Sequence, residues 1–245
     1  MISNGDIADN LYSLYGGLAE RGLVASGSAG GFEYVRHDGF AWPNMAYRPG
    51  RNGPASREEL QLLRRSILSG ECPRLVLFDG EGMTDEVRGA LAADRLIGAT
   101  EWVNMYRQVG RTTAGSLKCR VIDADDPQEW SRWASVVSGV LFKNQPLDRG
   151  LFGDRFSLMT GYMQDEAVAT CLLYFGKSAG LYMVATFPSF QGKGYGGQLM
   201  EYAQRVAADR GYETVVLHST KAGLAFYNSL GFKSVGKLYL YYSMP

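Results

Sequence analysis

One stretch constrains this chain more than any other: Gln191-Gly192-Lys193-Gly194-Tyr195-Gly196-Gly197. An apolar run, Leu181 to Thr186, precedes it, and Leu199, Met200, Ala203, Val206 and Ala207 follow at the spacing of one buried helix face. The expected local structure is a strand, a glycine-rich turn and a helix. Glycines lack Cβ, so such a turn can point several N–H groups into one concavity. The first helical turn adds unpaired amides and the positive end of the helix dipole. That combination suits a phosphate or pyrophosphate. The turn does not end in Gly-Lys-Ser/Thr, so it is not a nucleotide-triphosphatase loop, and its spacing is not the dinucleotide Gly-x-Gly-x-x-Gly.

Composition narrows the classes. The 25 basic and 25 acidic residues cancel, which argues against a nucleic-acid-binding surface. No apolar run approaches the roughly 20 residues of a membrane span, and Met1 to Asp6 carries no signal-peptide pattern. Cys72, Cys119 and Cys171 are odd in number and far apart, so neither a disulfide framework nor a metal site is expected. The expectation is a cytoplasmic protein with reduced thiols and no metal.

The order of elements suggests two halves. In the first, residues 6–22 read as a helix through Ile7, Leu11, Leu14, Tyr15 and Leu18, and residues 27–31 as a loop. Strands are expected at 32–36 and 40–47, a helix after Ser56, a buried strand at 74–78, a helix at 84–96 and a strand at 102–109. In the second, a strand at 117–122 leads to a helix capped by Asp126 with Pro127 in its first turn. Strands at 155–162, 168–175, 181–186 and 214–217, a helix at 222–230, and strands at 232–235 and 238–243 complete it. The pattern of Ser56 to Phe78 repeats that of Gly196 to Leu217, which points to a tandem duplication. The loop at 48–54 carries Pro49 and Pro54, which have no N–H to offer, so the first copy reads as degenerate and non-catalytic. An unrelated α+β domain is the open alternative. His37 and Trp42 are assigned no catalytic role.

The segment Gln-x-x-Gly-x-Gly resembles the pyrophosphate loop of the GNAT superfamily of acyl-CoA-dependent N-acyltransferases. Phe187-Pro188 before the loop, the run Ala222 to Phe232 with its tyrosine and Leu-Gly-Phe ending, and the distance from Gln191 to Tyr227 extend the resemblance over about residues 118–245. The implied fold is α/β with a mixed α+β sheet, in two parts: residues 1–115, and a cofactor-binding domain at 116–245. The resemblance implies acetyl-CoA as co-substrate. Gln191, Gly192, Lys193, Gly194, Tyr195, Gly196 and Gly197 would hold its pyrophosphate. Val184, Ala185 and Thr186 would pair with the pantetheine arm, the Val184 N–H polarising the thioester carbonyl. Ser219 and Ala222 would lie near the cofactor's path. Tyr227 matches the tyrosine that protonates the leaving thiolate, with the neighbouring Phe226 left to fill the core. Many relatives carry a carboxylate on the strand before the loop, and 181–186 has none. His218 is the candidate base, directly or through water, beside the alternative of no dedicated base.

The expected activity is transfer of an acetyl group to a primary amine of a small or amino-acid-like acceptor. A non-catalytic acyl-CoA-binding module and a transferase of a longer acyl group remain alternatives. Residues around Trp42, Asn144 and Gln145 are candidates for the acceptor pocket. The tyrosine-rich strand 238–243 is a candidate edge for pairing with a second copy as a homodimer.

Overall fold

The computed structural model describes residues 2–49, 54–80, 83–110 and 115–244. Parts of the 48–54 loop and of the 111–116 linker fall outside them.

The first half opens with α1 (Asn4–Glu20) and the hairpin β1 (Ala25–Ala29) and β2 (Phe32–Arg36). It continues through β3 (Asn44–Tyr47), α2 (Arg57–Leu68), β4 (Leu75–Asp79), α3 (Asp85–Ala93) and β5 (Leu96–Gln108). The second half runs β6 (Lys118–Val121), α4 (Pro127–Leu141), β7 (Phe156–Met163), β8 (Glu166–Phe175), β9 (Ala179–Thr186), α5 (Tyr195–Asp209), β10 (Thr214–Thr220), α6 (Leu224–Ser229) and β11 (Lys233–Ser243). Helix starts follow their side-chain caps. Ser3 with Asp6 and Ser56 with Glu59 form reciprocal capping boxes, and Asp126 caps α4.

The eleven strands of the described residues join one mixed sheet in the order β1-β2-β3-β4-β11-β5-β10-β9-β8-β7-β6. Outward from the central β11/β5 pair, each side repeats one pattern: an antiparallel pair, a parallel pair, then antiparallel pairs. The parallel pairs are β3/β4 and β9/β10. The last strands exchange seats. β5, from the first half, lies against β10, and β11, from the second, lies against β4.

Helices α1 and α4 share one core on one face, with Leu11, Leu14, Trp133, Tyr174 and Leu240 buried in it. The other face carries two cores, one under α5 and α6 and one under α2 and α3. The hairpin joining β2 to β3 reaches the 144–153 loop, where His37 Nε2 lies 2.8 Å from Asp148 Oδ2 and Trp42 stacks on Phe152.

Four expectations need correction. Residues 25–29 form a strand, although Ala-Ser-Gly-Ser-Ala has none of the β-branched or aromatic side chains that mark one. The strand expected at 102–109 begins at Leu96, inside the expected helix. Strands 232–235 and 238–243 are one strand, irregular between Ser234 and Gly236. That strand is no edge: it is paired on both sides, so it cannot be the seam of a homodimer. Among the described residues no helix is long and apolar enough to cross a membrane, and no group of three or more His, Cys, Asp or Glu could hold a metal.

Candidate active site

The site begins where two strands part. β9 and β10 pair in parallel through Ala179/Val215, Gly180/Val216 and Leu181/Leu217, and no further. β9 runs on to Thr186 and β10 to Thr220, so the sheet opens at Tyr182 and His218. On its other side β9 holds to β8, but with a bulge. Leu172 faces Tyr182 and Thr170 faces Ala185, which leaves Met183 and Val184 against the single residue Cys171. Met183 takes a left-handed φ of 50° at this bulge. The freed Cys171 carbonyl accepts from Trp133 Nε1 at 3.3 Å, so α4 buttresses the distortion.

Beyond Thr186 the chain makes a short turn over Pro188–Phe190 and enters the glycine stretch. Gln191 Nε2 donates to the Thr186 carbonyl at 3.0 Å and ties the loop back to the strand. Gly192 and Gly194 have φ of 73° and 79°, values that side chains resist. Gly194 is the N-cap of α5 and offers no side-chain cap. The first amides of a helix have no intrahelical acceptor, and no turn or cap bond uses the N–H groups from Gly192 to Gly197. A Cβ on Gly196 would sit 3.3 Å from the Phe226 ring and 3.4 Å from Thr186 Oγ1, so that glycine keeps the helix against the strand end. Lys193 Nζ lies over the Phe190 ring at 5.1 Å.

Tyr227 is buried, 9% exposed, with its ring edge-on to Phe226 and Phe232. Its hydroxyl bonds to none of the described residues. Burial, and secondarily the Cys171 thiol, push its phenol above the ordinary value, so it holds its proton at working pH. The expected division of labour with Phe226 is reversed: Tyr227 is the core residue, while Phe226 is half-buried over the glycine turn. Tyr227 lies one position later on a six-residue helix, which turns it inward.

His218 is half-buried, yet its Nε2 is sealed from solvent and has no partner among the described residues. Its ring sits between Trp102 and Tyr182, with centroids 6.1 Å and 6.0 Å away. Desolvation lowers its pKa to about 3, so it is neutral near pH 7. Ser219 is buried and donates to the Thr220 carbonyl at 2.8 Å, while Ala222 is exposed. The structure thus places Val184, Ala185 and Thr186 on the splayed end of β9 and His218 and Ser219 on that of β10, with Gly196 of the loop against Thr186 and Phe226, and Tyr227 in the core beside Gly223. Asn144 and Gln145 are exposed, and Trp42 packs between Tyr15 and Phe152 in the shared core. Residue spacing alone did not reveal the bulge at Met183. Its signal is a rise in Cα count between two strands, which only the pairing register displays.

Residues 157–234 match the family model described as "Acetyltransferase (GNAT) domain". No curated protein matches the chain in sequence. Among solved structures, a GCN5-related N-acetyltransferase from Kribbella flavida superimposes with a TM-score of 0.71, covering 94% of each chain at 14% identity. A GNAT-family protein from Novosphingobium aromaticivorans gives 0.60, covering 95% of this chain and 96% of that one at 13% identity. A GCN5-related N-acetyltransferase from Sphaerobacter thermophilus also gives 0.60, covering 80% of this chain and 71% of that one at 13% identity. The chain therefore carries an acetyltransferase (GNAT) domain at 157–234, within a fold shared along almost its whole length with GCN5-related N-acetyltransferases.

Proposed function

We propose that the chain transfers an acetyl group from acetyl-CoA to a primary amine of a small or amino-acid-like acceptor, using the second half alone as the cofactor site. One observation carries this reading. The strand splay at Tyr182/His218 opens beside an uncapped helix whose glycine turn leaves its amides unengaged. Amides from Gly192 to Gly197 hold the pyrophosphate, with the helix dipole behind them. Backbone groups of Val184, Ala185 and Thr186 line the pantetheine, and the Val184 N–H, beside the bulge, polarises the thioester carbonyl.

In the transfer step the amine nitrogen attacks the thioester carbon. The new C–N bond forms as the C–S bond breaks. The proton leaving the amine passes to His218 Nε2, and Tyr227 gives its proton to the departing thiolate. A phenol with a raised pKa can do this because the same dry surroundings raise the basicity of a thiolate formed beside it. After the products leave, His218 gives up its proton and Tyr227 regains one, which returns both groups to their starting states. The first half, residues 1–115, is a worn copy of the second, 116–245, with no cofactor site of its own. Its mirrored strand pattern supports that reading.

Calorimetric titration with acetyl-CoA tests the proposal. The expected result is one site per chain, followed by transfer to members of a primary-amine panel. Two sites would overturn the worn-copy reading. Binding without transfer would leave a binding module, and no binding at millimolar ligand would reject the cofactor site.

A further inference from the structure

A line of buried and half-buried side chains runs from the first half to His218. Asn4 Nδ2, at the start of α1, donates to Asp79 Oδ1 at the end of β4, 2.8 Å away. Asn104 Nδ2, in the middle of β5, donates to Asn4 Oδ1 at 2.7 Å. His218 Nδ1 lies 2.6 Å from Asn104 Oδ1. Asn104 is fully buried and Asn4 is 7% exposed.

The chemistry of the far end sets the direction of the whole line. A carboxylate only accepts, so the Asn4 amide nitrogen faces Asp79 and its oxygen faces Asn104. Asn104 must then turn its nitrogen to Asn4 and its oxygen to His218. Only a protonated Nδ1 satisfies that oxygen. The neutral ring therefore carries its proton on Nδ1 and a lone pair on Nε2. A histidine buried for packing alone would satisfy both nitrogens. Here Nε2 has no partner among the described residues, and the hydroxyl of the neighbouring Tyr182 is committed to Asn10 Oδ1 at 2.6 Å. The ring stands where β9 and β10 separate.

We propose that Asp79, Asn4 and Asn104 are positioning residues that hold His218 as its Nδ1–H tautomer and keep the Nε2 lone pair, closed off from solvent, as the base met by the acceptor amine when it enters between β9 and β10. The inference rests on the reading of His218 as the base. It gives the first half a part in the chemistry, because Asp79, Asn4 and Asn104 all belong to it. The titratable groups around the ring are few. Tyr182 comes from β9; Trp102 and Asn104 of β5 and Asn4 of α1 carry no charge; Asp79 is two amides away.

The test uses the full chain with ¹⁵N-labelled histidine. The sequence has two histidines, so a His37→Gln variant leaves the His218 ring as the sole signal. The expected spectrum at neutral pH shows a protonated Nδ1 and an unprotonated Nε2. A protonated Nε2 in this otherwise native chain overturns the relay, whatever the turnover. Asn104→Leu is expected to move the proton to Nε2 and lower kcat about tenfold or more, with KM for acetyl-CoA unchanged. Retention of the Nδ1–H form and of the rate in that variant overturns the relay too. Asn104→Asp keeps an acceptor opposite Nδ1 and adds a negative charge, so the acid limb of kcat should move to higher pH. A His218→Gln enzyme with wild-type turnover would instead overturn the base role itself, while the tautomer spectrum would still report on the relay.

Discussion

Helices α2 and α5 hold corresponding places in the two halves, each following a strand of a parallel pair, and their N-termini are treated in opposite ways. At α2 the Ser56 hydroxyl accepts from the Glu59 amide, and the Glu59 carboxylate accepts from the Ser56 amide at 2.6 Å. Arg48, just past β3, adds an ion pair to Glu59 at 3.1 Å, and the β1–β2 turn packs so closely that a side chain on Gly30 would strike the Glu59 carbonyl. Two of the amides a phosphate would use, those of Ser56 and Glu59, are taken by the chain's own side chains. At α5 the cap is a glycine in the left-handed region with nothing to offer the helix. One architecture can therefore carry a finished surface at one helix end and a receptive one at the other. The difference lies in a few residues that cap, not in the sheet that places them.

The sharpest way to break this comparison is to spoil each glycine that holds a left-handed turn. Gly194→Val forces a β-branched residue into φ 79° at the mouth of α5. It should weaken acetyl-CoA binding by about 100-fold, equivalent to ~2.7 kcal/mol, as read by calorimetry. Gly70→Val, at the end of α2, imposes the same strain at the same φ of 79° and meets no neighbour. It should cost comparable stability and leave binding unchanged. Equal effects on binding from the two variants would show that the α5 turn holds no cofactor. Next in size, Tyr227→Phe should lower kcat by about 100-fold, the usual weight of a general acid. KM for acetyl-CoA should hold, and so should the melting temperature, because the lost hydroxyl bonds to no described residue. Wild-type kcat across neutral and alkaline pH would remove Tyr227 from the chemistry.

These sites differ in how far the sequence exposes them. Gln191 to Gly197 is legible because glycine spacing is itself the device, and the helix after it shows its buried face at 3.6-residue intervals. Tyr227 is legible by its place before Leu-Gly-Phe, but not its burial relative to Phe226, since a helix of two turns is too short for its periodicity to say which residue faces inward. The strand exchange is invisible: β5 and β11 read alike as apolar runs, and nothing in either says which half it will join. The relay is hidden for another reason. Asn4, Asp79, Asn104 and His218 lie far apart along the chain, and asparagines in apolar segments carry no periodic signal. Only tertiary register brings them into line.

The acid side of the stability curve separates the two halves more finely. The neutral form of His218 is favoured on folding, its pKa falling from 6.5 to about 3 through desolvation. The unfolded chain therefore binds the extra proton first. His218 contributes its full stability above about pH 6.5, and that contribution is lost as pH falls toward 3. His218→Gln should flatten the stability profile in that window, as followed by chemical denaturation at successive pH values. An unchanged slope would mean the ring is better solvated than its sealed Nε2 indicates.

The smallest effect belongs to the finished helix end, and it is the cleanest probe of what finishing does. For Glu59, burial alone would raise the carboxyl pKa; the Ser56 amide and the Arg48 guanidinium outweigh it and bring the net value below the ordinary range. Its contribution is present above the unfolded pKa and fades as pH falls through the folded one. Ser56→Ala removes the hydroxyl half of the box and should cost about 1 kcal/mol, measured by urea denaturation at neutral pH. Acetyl-CoA stoichiometry should stay at one per chain. Opening the α2 amides this way leaves Pro49 and Pro54, which have no N–H, in the preceding loop, and leaves Arg48 paired with Glu59. A second acetyl-CoA site appearing in Ser56→Ala would show that the capping box alone keeps the first half silent, and that the prolines do not matter.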